Sequence, residues 1–325
     1  MRAARVHHYG PPEVVVVEDV PAPELVSGTV LVRVESAAVN YPDVLMIADR
    51  YQLTVPVPFT PGSEFAGVVE EVAGDVETIA PGDRVLGSAT HGAFSELVLA
   101  RASWLTRLPD GVSFDEGAAF GVVYGTAYSA LRSIAEVQAG DWVVSLGAAG
   151  GVGLAVVDLA RVLGGRVIAA ASSADKLEVC RQRGAEVLID YQQEDLKERI
   201  KEITRGGADV VIDPVGGPYS ESALRATRWG GRFVTVGFAA GEIPRIPLNL
   251  VLLKGVVVRG FELGSFASHS PADAARDRAE LDELFSGGRI RPHVSGAYPL
   301  DQVSAALEEL ADRRAIGKVL VHPQR

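Results

Sequence analysis

A single cysteine, Cys180, in 325 residues permits no intrachain disulfide and no zinc cluster built from cysteines. Positive charge is in deficit as well. The 31 lysines and arginines face 42 aspartates and glutamates, a formal net charge of −11, which argues against a nucleic-acid-binding surface. No apolar run approaches the roughly 18 residues that a membrane-crossing helix requires. The opening segment, MRAARVHHYG, lacks the apolar core of a secretory signal. Cytoplasmic residence is the expectation these absences leave. Metal chemistry is thinly provided too: His7, His8, His269, His293 and His322 form no ligand spacing, and His91 reads as an exposed loop residue.

What is present fits a soluble enzyme-sized chain: 47% hydrophobic and 22% charged residues, with length enough for two domains. Up to about Gly121 the pattern is mostly β. Val14 to Glu18, Thr29 to Ser36, Phe65 to Val72 and Asp83 to Leu86 read as strands, divided by proline and glycine turns. Short strands at this spacing predict a compact, barrel-like domain. Beyond Val122 strands alternate with helices. Thr126 to Ile134, Asp175 to Arg183, Leu196 to Arg205 and Ser220 to Thr227 read as helices. Arg166 to Ala171, Val187 to Ile189, Val210 to Asp213, Arg232 to Gly237 and Val256 to Phe261 read as strands. Such alternation predicts a doubly wound parallel sheet. Two further helices, Ala274 to Phe285 and Leu300 to Ala311, precede a last strand, Lys318 to His322.

The most informative stretch is WVVSLGAAGGVG at 142–153. A buried strand ends in a glycine turn that opens a helix, the context that marks a dinucleotide site. Gly147 leaves the strand, Gly150 lets backbone N–H groups reach a diphosphate, and Gly153 lets the helix pack close. Ala148 takes the first position of the usual G-x-G-x-x-G. With Gly151 and Val152, these residues place an anion at the helix N-terminus. An NAD site wants a carboxylate about twenty positions further on, at the end of the second strand. Here that strand ends in Ala169-Ala170-Ala171-Ser172-Ser173, followed by Lys176. Hydroxyls and an ammonium suit a 2′-phosphate, so NADPH is the expected cofactor.

Taken together, AAVNYPDVLM at 37–46, PGSEFAGVVEEV at 61–72, PGDRV at 81–85, YGTAYSAL at 124–131, GAAGGVG at 147–153 and RRAIGKVLV at 313–321 resemble the medium-chain dehydrogenase/reductase superfamily. Within it the likeness is to the zinc-free NADPH:quinone oxidoreductases related to zeta-crystallin. The resemblance implies an α/β protein: a GroES-like β-rich catalytic domain from residues 1–122 and 263–325, and a Rossmann nucleotide domain from 123–262. It also implies contacts. Lys176, Tyr191 and an arginine near Arg314 would meet the 2′-phosphate. Ser172, Gly237 and Phe238 would border the cofactor, and Asn40, Tyr51 and Thr126 would lie near nicotinamide and substrate. Leu45 stands where bacterial relatives carry a second tyrosine.

Zinc alcohol dehydrogenases of this superfamily place a cysteine ligand about where Asn40 stands and a histidine ligand about where Ser63 stands. Neither replacement is a useful zinc ligand, and the four-cysteine lobe is missing, so no metal is expected. Cys180, at helical spacing from Leu177, reads as packing. Glu64 reads as a structural hydrogen-bonding residue, and the polar segment 264–273 as irregular. Without a Lewis acid for an alkoxide, the implied chemistry is hydride delivery to an electrophilic acceptor. Three functions fit: a quinone reductase, a reductase of activated C=C bonds (enal, enone or acrylyl thioester), and an NADPH-binding structural or macromolecule-binding protein. Relatives pair through the edge strand late in the nucleotide domain, which implies a homodimer.

Overall fold

Thr29–Val39 is a valine-rich strand buried along almost its whole length, so it must find partners on both edges. In the computed structural model, which describes all 325 residues, Glu64–Val72 runs antiparallel along one edge. Leu97–Arg101 and Lys318–His322 share the other, the first against Thr29 to Arg33 and the second against Ala37 to Val39. The seven-stranded sheet ends at Val294–Pro299 on one side and at Leu105–Arg107 on the other. No ladder joins those ends, so the barrel-like sheet stays open. Arg2–Val6 and Val15–Asp19 form a separate two-stranded sheet, attached through isolated bridges Ala3 to Ser95 and Val6 to Phe59. The core gathers Val32, Val34, Phe65, Phe94, Leu307, Val319 and Val321.

The chain divides into two compact units, Met1–Val122 with Arg291–Arg325, and Val123–Ile290. Residues 263–290, expected with the first unit, belong to the second. Their helix Pro271–Ser286 is held there by Tyr128 donating to Glu280 at 2.6 Å and Ser133 to Asp277 at 2.7 Å. The segment 264–273 is not irregular. It forms the helix Leu263–His269 and the start of the next, because the Glu262 carboxylate accepts from the Gly264 and Ser265 amides.

In the second unit six parallel strands lie in the order Val187–Asp190, Arg166–Ala171, Trp142–Leu146, Ala208–Asp213, Thr227–Thr235, Val257–Gly260. Counted along the chain this is 3-2-1-4-5-6, the doubly wound dinucleotide arrangement. Strand order reverses between Trp142–Leu146 and Ala208–Asp213, and a ligand crevice belongs outside the carboxyl ends there. The helix expected over Thr126 to Ile134 begins earlier, as Gly121–Ser129, and passes into a π-helical turn, Ala130–Ile134.

Candidate active site

At the switch point the backbone approaches itself closely. Gly147 has φ +56°, the left-handed region, and turns the chain out of its strand. A Cβ at Gly153 would stand 2.2 Å from the Gly147 carbonyl oxygen, so the helix Gly151–Val162 seats on the turn without a side chain between. The Ala148 amide donates to Ala170 O on the neighbouring strand and the Gly150 amide to Gly147 O, so both already have protein partners. The first helical bond runs from the Leu154 amide to Gly150 O at 2.9 Å. Gly151, Val152 and Gly153 precede it, and no side chain caps the helix. Their N–H groups are the donors an anion would meet.

The next two strand ends supply side chains. Lys176 Nζ lies 3.3 Å from Ser172 Oγ, and Ser173 caps the helix Ala174–Gln182 that carries the lysine. The Tyr191 amide donates to Ala171 O, the carbonyl just before Ser172, and its ring packs on Tyr219 with centroids 4.2 Å apart. Ser172, Lys176 and Tyr191 are thus brought to one corner. Across the switch point, buried Asp213 accepts from the Val215 and Gly216 amides and from Ser220 Oγ. Burial pushes its carboxyl up, against those hydrogen bonds. The Gly237 amide meets Asp213 O, and Phe238 lies over Gly216. Thr126 is buried on Gly121–Ser129, which Tyr124 ties to the glycine-turn helix by donating to Asp158 at 2.5 Å. Arg314 stands in the first unit, ion-paired with Asp312.

The first unit buries a polar cluster around Asn40. Antiparallel pairing of Val319 with Val39 sets Lys318 opposite Asn40. Lys318 is 3% exposed, and its ammonium donates to Asn40 Oδ1 at 2.6 Å, Val39 O at 3.2 Å and Glu64 Oε2 at 3.2 Å. Glu64 also accepts from Asn40 Nδ2 at 3.0 Å and, through Oε1, from the Val122 amide at 2.7 Å. It makes the structural hydrogen bonds expected of it. Asn40 caps the helix Tyr41–Ile47, and Asp43 completes the capping box by accepting the Asn40 amide at 2.8 Å. Ser63 Oγ donates to the other Asp43 oxygen at 3.2 Å. Tyr51 packs half-buried at the margin of this unit's core, beside a half-buried Leu45. His91 is exposed, as expected, with its ring edge-on to Phe59, and partial desolvation lowers its imidazole below the usual histidine range.

Sequence reading named Asn40, Ser63 and Glu64 but missed Lys318, Asp43 and Asp213. Asn-x-x-Asp before an apolar run is a helix-start signal that points to Asp43; nothing local points to Lys318. The cluster does not fit zinc. Its donors are an amide, a hydroxyl and a carboxylate already paired with an ammonium, and no three His, Cys, Asp or Glu side chains converge as a ligand set. The glycine turn and the Ser172–Lys176 corner do fit a dinucleotide carrying an extra phosphate.

Residues 26–110 match the alcohol dehydrogenase GroES-like domain family, and residues 151–278 match the zinc-binding dehydrogenase family. The chain is 36% identical over 329 residues to the quinone oxidoreductase-like protein 2 homolog of Nematostella vectensis, spanning 100% of this chain and 89% of that one. Among solved structures it resembles Escherichia coli quinone oxidoreductase complexed with NADPH, at 29% identity and a TM-score of 0.93, covering 99% of this chain and 100% of the other. It also resembles the quinone oxidoreductase of Thermus thermophilus, solved with and without NADPH, at 34% identity, a TM-score of 0.85 and coverage of 99% and 100%.

Proposed function

The chain belongs to the medium-chain dehydrogenase/reductase superfamily, in its zinc-independent quinone-oxidoreductase-like family, and from that premise we propose that it reduces quinones with NADPH. The carrying observation is the buried cluster at Asn40 and Ser63, which offers the acceptor no metal and holds a lysine ammonium instead.

NADPH, when bound, supplies the hydride. The amides of Gly151, Val152 and Gly153 hold its diphosphate at the helix end. Lys176, Ser172 and Tyr191 read the 2′-phosphate, and Arg314 is a further candidate for it. Gly237 and Phe238 border the cofactor. Asn40, Tyr51 and Thr126 are the residues assigned to orient nicotinamide and acceptor. A quinone suits a site without a Lewis acid, because its conjugated carbonyls are electrophilic and aromatisation drives their reduction.

NADPH oxidation against quinones, enals, enones and acrylyl thioesters tests the reading, with quinone turnover expected. Turnover of alkenes alone would move the assignment to C=C reduction, and NADPH binding without turnover to a structural or macromolecule-binding role. The protein is assigned as a homodimer. Val257–Gly260 is an exposed sheet edge, and Trp229, Leu248, Leu252 and Leu253 are 71%, 81%, 77% and 67% exposed. A valine-rich edge beside such a surface favours pairing with a second copy. Light scattering at micromolar concentration should give twice the chain mass.

A further inference from the structure

Reduction of a quinone or an enone needs a proton as well as a hydride. The first unit holds three ionisable groups away from water: Asp43 is 0% exposed, Glu64 2% and Lys318 3%. Their charges do not cancel. Lys318 has three N–H donors, and Glu64, Asn40 Oδ1 and Val39 O take them. Glu64 thereby has its counter-charge, whereas Asp43 receives only neutral donors, the Asn40 amide and the Ser63 hydroxyl. A buried carboxylate without a cation favours its protonated form.

Burial pushes the Asp43 carboxyl up to about 7. The Asn40 amide, the Lys318 charge and the Ser63 hydroxyl oppose that rise, and the Glu64 charge adds to it. Lys318 on the last strand and Glu64 at the start of its own strand are the charged groups that face Asp43. Ser63 is half-buried, while Asn40, Asp43, Glu64 and Lys318 are all buried. Ser63 is therefore the least buried of these side chains and stands at the margin of the cluster.

Resting on the reductase reading above, we propose that Ser63 and Asp43 form a proton relay, with Ser63 the catalytic donor to the acceptor and Asp43 the buried store behind it. Once hydride has reached the acceptor, the new electron pair on its oxygen or α-carbon takes the Ser63 hydroxyl proton. The Ser63 O–H bond breaks as the Asp43 O–H bond breaks and its proton moves to Ser63 Oγ. Asp43 is left as carboxylate, and a proton from water returns to it through Ser63. No protein group changes oxidation state; NADPH is oxidised and the acceptor reduced. The relay also widens the acceptors served, because an enone needs its α-carbon protonated whereas a hydroquinone oxygen can take its proton from water.

Asp43 could instead serve only as the capping-box partner of Asn40. Asp43→Asn separates the two roles, since a carboxamide can accept from the Asn40 amide and donate to the Ser63 hydroxyl oxygen but cannot release a proton at neutral pH. The full chain is assayed with NADPH and either 1,4-benzoquinone or a cyclic enone. Wild-type enone turnover should be flat in acid and fall as pH rises through about 7. Asp43→Asn and Ser63→Ala should each lower enone turnover by about 10²-fold and abolish that fall, and Ser63→Thr should restore both. NADPH affinity, read by fluorescence, should not change. Infrared difference spectra should show a protonated carboxyl band that titrates near 7 in the wild type and is absent from Asp43→Asn. Wild-type turnover and pH profile in Ser63→Ala, or that band surviving in Asp43→Asn, would overturn the relay. If Asp43→Asn does not fold, Ser63→Ala and Ser63→Thr decide. A wild type that binds NADPH but reduces neither acceptor defeats the reductase reading itself.

Discussion

Between Gly147 and Gly153 the second unit builds the glycine turn proposed to hold the diphosphate from consecutive residues and mostly from backbone. The first unit builds its cluster from side chains, with Asn40 and Lys318 separated by 278 positions. The two fail in different ways. A turn in which a helix rests on a carbonyl is indifferent to charge but has no room for a methyl group. In a buried pair of ammonium and carboxylate, neither charge can go without stranding the other. Backbone sites are therefore sensitive to volume, and buried ionic sites to charge balance.

Charge removal should have the larger effect. Lys318→Met leaves the Glu64 carboxylate buried without its cation and should cost about 3–5 kcal/mol in chemical denaturation. Replacing both partners, Lys318→Met with Glu64→Gln, should recover part of that loss. Equal losses in the single and double variants would mean that packing, not charge, holds the cluster.

Added volume comes next. Gly153→Ala sets a Cβ 2.2 Å from Gly147 O, against backbone that cannot rotate away. It should destabilise by about 1–3 kcal/mol and weaken NADPH binding by more than about tenfold, read by calorimetry. Unchanged affinity would show that the turn can open, and the contrast with the cluster would fail.

The smallest effect tests the one corner where the nucleotide unit relies on side chains. Lys176→Ala should weaken NADPH by about tenfold, or about 1.4 kcal/mol, and NADH hardly at all, in paired titrations. Equal losses for both cofactors would remove Lys176 from the 2′-phosphate. The same side-chain logic would then belong to the first unit alone.

Much of the second unit was legible because its signals are local. Strand, glycine turn and helix follow one another, and the serines after the next strand and the lysine on the helix that follows lie within a few residues. Extents were harder. The helix read over Thr126 to Ile134 begins at Gly121 instead, with the Glu64 carboxylate on its Val122 amide. That carboxylate lies 58 positions away in sequence. Residues 264–273 looked polar and loop-like, but Glu262 caps them into a helix. Asn40 was nominated for its likeness to a substrate-side position, and its carboxamide proves to be held by Lys318 and Glu64.

By itself the sequence determined the alternation that makes a doubly wound sheet, the glycines that let backbone carry an anion, and the lack of metal ligands at Asn40 and Ser63. These depend on neighbours along the chain, through φ, hydrogen-bond geometry and the chemistry of single residue types. Only the tertiary structure decided that Lys318 faces Asn40, that Asp43 is buried with hydrogen bonds from neutral donors alone, and that Ser63 stands half-buried at the cluster's margin. The register of Val319 against Val39 sets the first of these. Burial sets the others, because a group's charge state depends on what folding packs around it.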